Sequence, residues 1–128
     1  MNRTVDERAL KDLVNQFYAR VRADSLIGPT FNDAISDWDG HLEKLQAFWS
    51  SVMLTSGRYK GQPLQAHVKH SDRIDAASFE RWLDLWNQTT AELFEPSLAG
   101  LFQEKANKIA ESLQLGIRFA RDKSILAN

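Results

Sequence analysis

Apolar side chains recur at intervals of three and four residues along most of the chain, which is the spacing of amphipathic helices. The first such stripe predicts a helix over about residues 5–23, and Thr4 and Glu7 have the spacing of a capping box at its start. Gly28-Pro29 then predicts a turn that leaves Phe31 on a short segment. We therefore expect one long helix, followed by a tight turn, at the N-terminal end.

Further helices are predicted along the rest of the chain. Their expected starts are Ser36 or Asp37, Pro63, Asp75 or Ser78, and Pro96. The stripe that begins after Ser36 or Asp37 ends near Gly57 and carries His41 on its apolar face. No run alternates apolar and polar residues for long enough to predict a strand, and no internal repeat or linker divides the chain. The pattern predicts an all-α fold of about five helices with a short one in the middle, in a single domain over residues 1–128.

Composition and charge exclude several classes of function. The 128 residues are 43% hydrophobic and carry a formal net charge of -1, so no basic excess indicates a nucleic-acid or membrane partner. The chain has no cysteine, which excludes thiolate metal sites and cysteine nucleophiles. No signal peptide or long apolar run is visible, and we expect a soluble cytoplasmic protein. Four Trp and seven Phe either fill a core or line a pocket for a flat ligand. Trp38 and Trp86 lie on inward stripes and are expected to belong to the core.

Four polar side chains lie on the inward faces of four different predicted helices. These are Tyr18, His41, His67 and Trp82. A polar group on an inward face costs free energy unless it has a partner. Each of these residues taken alone is typical of an ordinary helical core. Together they indicate either a polar network within the core or a ligand that supplies their partners.

A haem would account for the four together, because it is a flat apolar disc whose iron takes an imidazole ligand. The candidate imidazoles are His41, His67 and His70, and His67 shares the face of its short helix with apolar neighbours. Candidate walls for the disc are Phe31, Leu45, Phe48, Trp49, Met53, Leu64, Phe79 and Ile117. Tyr18 and Trp82 can donate hydrogen bonds to a ligand on the other face, where His41 is a third donor, a gate or a sixth iron ligand.

The segments FYARVRADSLIGPTFND, WDGHLEKLQAFWSSVML, GRYKGQPLQAH and FERWLDLW resemble the successive signatures of truncated haemoglobins of group III. The resemblance covers the chain from about Leu10 to Phe119, and the absence of a Gly-Gly pair agrees with that group. It implies a globin shortened to a two-over-two helical sandwich around haem b. It also implies reversible binding of dioxygen and of other diatomics such as NO and CO.

Residue by residue, the resemblance assigns the proximal iron ligand to His67 and the distal positions to His41, Tyr18 and Trp82. It places Phe31 against the porphyrin. His70 is not part of the family pattern. Lys44 is the better candidate for a haem propionate, because it follows His41 by three positions on one helix.

Two other functions compete with reversible oxygen binding or oxygen transport. With the same haem the protein could be an enzyme, either a nitric oxide dioxygenase or a peroxidase-like catalyst, which would need an electron-donating reductase as partner. Alternatively, the chain is a haem-free helical module in which His67, His70 and Asp72 bind zinc or nothing. A Soret band after haem reconstitution separates this last reading from the other two.

Overall fold

A computed structural model describes residues 4–61, 67 and 74–127, with the side chains described as far as residue 120. It contains five α-helices, namely α1 (Glu7–Ala23), α2 (Gly28–Ala34), α3 (Trp38–Leu54), α4 (Ala76–Leu93) and α5 (Pro96–Ala127). His67 is also helical, and the described residues contain no strand. The all-α prediction is confirmed. The start of the short helix predicted at Pro63 lies outside the described residues.

Aspartate side chains begin three of the helices. Asp37 accepts a hydrogen bond from the first turn of α3, and Asp75 does the same for α4, as the sequence predicts. The predicted capping box of α1 is wrong, because Asp6 and not Thr4 caps this helix. The Asp6 carboxylate accepts a bond of 2.8 Å from the Ala9 backbone N–H. The short carboxylate next to the first helical residue reaches that donor directly, so the helix begins at Glu7.

The segment around Gly28 is a seven-residue helix, α2, and not only a turn. It packs closely against the end of α1, since a Cβ on Gly28 would lie 2.8 Å from the carbonyl oxygen of Arg22. The Asp24 carboxylate holds this corner together. It accepts bonds from the backbone N–H groups of Leu26 and Ile27 and one of 2.7 Å from Arg81 Nε on α4. The corner is therefore tied to α4 as well as to α1.

Asp24 should make stability depend on pH. Burial raises its pKa, but the hydrogen bonds from Ile27, Arg81 and Leu26 outweigh burial and lower it below the ordinary 3.8. A carboxyl with a lowered folded-state pKa stabilises the fold above its unfolded pKa and loses that effect as pH falls through the folded value. We expect Asp24→Asn to cost ~1–3 kcal/mol at pH 7, and this gap should narrow as the pH falls from 7 to 3.

Urea denaturation of Asp24→Asn and wild type at both pH values checks this expectation. The exposed Asp84 provides the control substitution Asp84→Asn, which should stay close to wild type throughout. A gap that persists unchanged at pH 3 would show that the Asp24 charge is not the stabilising group.

The core forms where α1 packs against α3 and α4, and α5 packs against α4. Its largest fully buried side chains are Trp49, Trp86, Phe17 and Phe102. The rings of Trp49 and Trp86 stack with centroids 4.3 Å apart, and Trp86 Nε1 donates to the Phe102 carbonyl at 3.1 Å. Trp86 is therefore a core residue, as its position on the inward stripe predicts. None of the helices in the described ranges is both long and apolar enough to cross a bilayer.

Candidate functional site

Tyr18 on α1, His41 on α3 and Trp82 on α4 meet beside the core. The Trp82 indole N–H, which can only donate, lies close enough to the Tyr18 hydroxyl oxygen to lower the pKa of Tyr18. The Tyr18 and His41 rings lie edge to face with centroids 6.3 Å apart. Three helices thus bring together three of the four polar side chains that the apolar stripes predict to point inward.

The Tyr18 side chain is buried, and its environment keeps the hydroxyl protonated. Burial raises the pKa of Tyr18 to about 12, although the hydrogen bond from Trp82 acts in the opposite direction. The hydroxyl therefore carries its proton at neutral pH. Because the neighbouring Trp82 indole can only donate, the Tyr18 hydroxyl keeps this hydrogen for a second group. Tyr18 is chemically a hydrogen-bond donor held in an apolar setting.

His41 is half-buried, and its environment favours the neutral imidazole. Desolvation lowers the pKa of His41 below the ordinary 6.5, and the electrostatic effects of Lys44 and His67 lower it further. His67 is thus close enough to His41 to influence its pKa. Residues from four parts of the chain therefore converge here, with His67, which is half-buried, as the fourth.

Trp38 belongs to the same cluster, although its position on an inward stripe predicts a residue of the core. Its ring centroid lies 5.8 Å from that of His41 and 6.1 Å from that of Tyr18. The Arg22 guanidinium lies over the Trp38 ring, 4.5 Å from the ring centroid. The place of Trp38 beside His41 could have been inferred from the sequence, because Trp38 precedes His41 by three positions and so shares its side of α3.

Several predicted wall residues are half-buried apolar side chains at the edge of the core. Phe31, Leu45, Phe48 and Met53 pack against the core without being fully enclosed by it. The ring of Phe31 lies 5.9 Å from that of Tyr18, so this predicted wall residue does adjoin the polar group. Lys44 is exposed on α3, close enough to His41 to influence its pKa.

Three other predicted wall residues lie deeper. Trp49 is 1% exposed and stacks on Trp86, so it lies in the core. Phe79 and Ile117 are buried in a second, smaller apolar cluster between α4 and α5. The remaining candidate wall residue, Leu64, lies outside the described residues, as does His70.

The chemistry of these side chains fits a haem. Half-buried aromatic and aliphatic groups match the faces of a porphyrin, and two neighbouring imidazoles, one of them favoured in its neutral form, match the needs of its iron. Within residues 4–61, 67 and 74–127, no group of three or more His, Asp or Glu side chains is placed to hold a metal ion directly. The zinc alternative also depends on Asp72 and His70, which lie outside these ranges.

Comparison with known proteins places the chain among described globins. No family model matches the sequence. A curated relative, the group 3 truncated hemoglobin ctb of Campylobacter jejuni, is 30% identical over 115 residues, covering 87% of this chain and 90% of the relative. The crystal structure of group III truncated hemoglobin from Campylobacter jejuni superposes with a TM-score of 0.82 at 31% identity. That superposition covers 91% of this chain and 95% of the other.

Proposed function

Since this chain belongs to the group III truncated haemoglobins, we propose that it holds haem b through His67 and reversibly binds dioxygen and other diatomics beside Tyr18. One observation carries the proposal: a buried Tyr18 hydroxyl lies beside the Trp82 indole N–H and next to the His41 ring. Such an arrangement places a protonated donor beside a neutral imidazole in a largely apolar region. A small ligand with partial negative charge is the natural partner of that donor.

The residues that would hold the cofactor follow from their positions. His67 is the proposed iron ligand, Phe31 and Phe48 are the proposed ring contacts, and Lys44 is the proposed propionate partner. Haem, when bound, supplies an iron that takes up a diatomic ligand. The exposed Lys44 side chain can reach the rim of the pocket because it lies close to His41 on the same helix.

The polar side chains would act on the ligand as one unit. Trp82 donates into the Tyr18 oxygen, and a hydroxyl that accepts a bond becomes a stronger donor through polarisation. Tyr18 keeps its proton because burial holds its pKa at about 12. His41, with a lowered pKa, adds a neutral imidazole to the same face. We therefore assign direct hydrogen bonding to Tyr18, and polarisation of its hydroxyl to Trp82.

Haem reconstitution tests the proposal. Titrating the apoprotein with haemin should give a Soret band that saturates at one haem per chain. Reduction under carbon monoxide, followed by exchange into dioxygen and then into argon, should give distinct spectra that interconvert reversibly. A pyridine haemochrome spectrum of the protein purified with its own cofactor identifies the haem as type b. A chain that stays spectrally inert towards haem would refute the function and favour the haem-free alternative.

The polar site also favours the enzymatic alternative, because a strong donor slows ligand release and so disfavours simple transport. A nitric oxide dioxygenase would form nitrate over many turnovers when a reductase and NADH are supplied. A reversible binder would form one nitrate per haem and then stop. Counting nitrate per haem, with and without the reductase, decides between the two functions.

A further inference from the structure

The first residue of α1, Glu7, connects the start of that helix with two other parts of the chain. Its carboxylate accepts hydrogen bonds from Gln46 at 3.3 Å and from the Ser50 hydroxyl, both on α3. It also pairs with the guanidinium of Arg58, in the segment that follows α3. The Ser50 side chain is completely buried whereas the Glu7 side chain is 45% exposed, so this contact lies at the edge of the core.

Residues 55–61, which follow α3, are held at further points. The Ser50 hydroxyl lies 2.7 Å from that of Ser56, and the Tyr59 backbone N–H donates to the Ser51 hydroxyl at 2.9 Å. The Tyr59 ring packs edge to face on Phe48, with centroids 5.2 Å apart. Glu7 is thus the centre of a polar network that fastens this segment to α1 and α3.

This segment leads to the proposed iron ligand, because His67 follows Gly61 by only six positions. We propose that Glu7 is a positioning residue, which fixes residues 55–61 through Ser50 and Arg58 and thereby sets the direction in which His67 faces the haem. Groups outside the coordination shell commonly orient a metal ligand in this way. The inference rests on the proposed function, since it concerns the geometry of His67 as an iron ligand.

The charge state of Glu7 agrees with this role. The Ser50 hydrogen bond lowers the pKa of Glu7; burial opposes the change, and Gln46 and Arg58 support it. Glu7 is therefore ionised at neutral pH, and hydrogen bonds to a charged acceptor are stronger than those between neutral groups. The neutral isostere glutamine keeps the size of the side chain and removes this advantage.

The experiment compares Glu7→Gln and Ser50→Ala with Arg20→Gln. Arg20→Gln is the control, because Arg20 makes a comparable link away from residues 55–61 and joins α1 to Thr89 and Glu92 of α4. Hydrogen exchange of residues 55–61 is measured in the apoproteins. The iron–histidine stretching band of the ferrous protein and the rate of haem transfer to apomyoglobin are measured after reconstitution.

Both network variants should exchange faster in residues 55–61, shift or broaden the iron–histidine band, and lose haem roughly three- to tenfold faster than wild type. Arg20→Gln should leave the band in place. An unchanged band and wild-type exchange in Glu7→Gln would overturn the positioning role, and so would an equal shift of the band in Arg20→Gln. If the wild type itself takes up no haem, the proposed function is refuted. If the wild type binds haem, the exchange rates and the iron–histidine band of Glu7→Gln are compared with those of the wild type.

Discussion

Replacing His67 with alanine should weaken haem binding by more than about a hundredfold, since loss of even an outer-shell partner of a metal ligand typically costs about 10–100-fold. The physical reason is that the side chain proposed to bind the iron directly is removed. Haemin titration followed by the Soret band measures the affinity. The ferrous spectrum shows whether any axial histidine remains.

Two further variants make the His67 result specific. His70→Ala should leave affinity and spectrum nearly unchanged, since His70 is not part of the family pattern. Exogenous imidazole should restore the axial spectrum of His67→Gly, because it can occupy the space of the missing ring. If His41→Ala loses haem while His67→Ala retains it, the two imidazoles have the opposite roles.

Replacing Tyr18 with phenylalanine should accelerate dioxygen release by roughly 10–100-fold, which corresponds to the loss of one hydrogen bond to a charged acceptor. The substitution removes only the hydroxyl that Trp82 polarises and that burial keeps protonated. Stopped-flow mixing of the oxygenated protein with dithionite and carbon monoxide measures the release rate. Tyr59→Phe removes the other tyrosine hydroxyl of the chain and should stay within about twofold of wild type.

The Trp82→Phe variant tests whether Trp82 strengthens the Tyr18 hydroxyl as a donor or contacts the ligand itself. Its effect should be smaller than that of Tyr18→Phe, because we assign Trp82 to polarising the hydroxyl and not to contacting the ligand. The two effects should also fail to add in the double variant, since both act through the same hydrogen. Faster release from Trp82→Phe than from Tyr18→Phe would instead identify the indole as the direct donor.

The starts of several helices are predicted by short sequence patterns. Asp37, Asp75 and Pro96 begin their helices at or next to the predicted positions, because a cap or an N-terminal proline acts within one turn. Thr4 fails for a local reason as well. Asp6 lies closer to the first turn and satisfies its backbone donor, and sequence spacing does not rank two competing caps.

The apolar pattern along a helix does not predict which residues its aromatic side chains contact. Trp38 and Trp49 both lie on α3 and both face inward, yet Trp38 contacts His41 while Trp49 stacks on Trp86. Spacing along a single helix tells which side points inward. It does not tell which neighbouring helix that side will meet, since this depends on how the helices cross.

The Glu7 network could not be predicted from the chain at all. Its partners Gln46, Ser50 and Arg58 are 39, 43 and 51 positions away, and none of them shows a motif that points to Glu7. The sequence predicts for Glu7 only a capping-box contact with Thr4, which lies within the first turn of its own helix.

The helices, their inward faces and the four inward polar residues follow from the sequence, because each depends on residue types and spacings within a few turns. The packing of α1 against α3 and α4 decides the rest. It joins Trp82 to Tyr18, brings His41 near His67, and buries Trp49 while Trp38 remains beside the polar cluster. These outcomes are contacts between residues far apart in the chain. Their geometry is set by how whole helices fit together, and no local pattern encodes it.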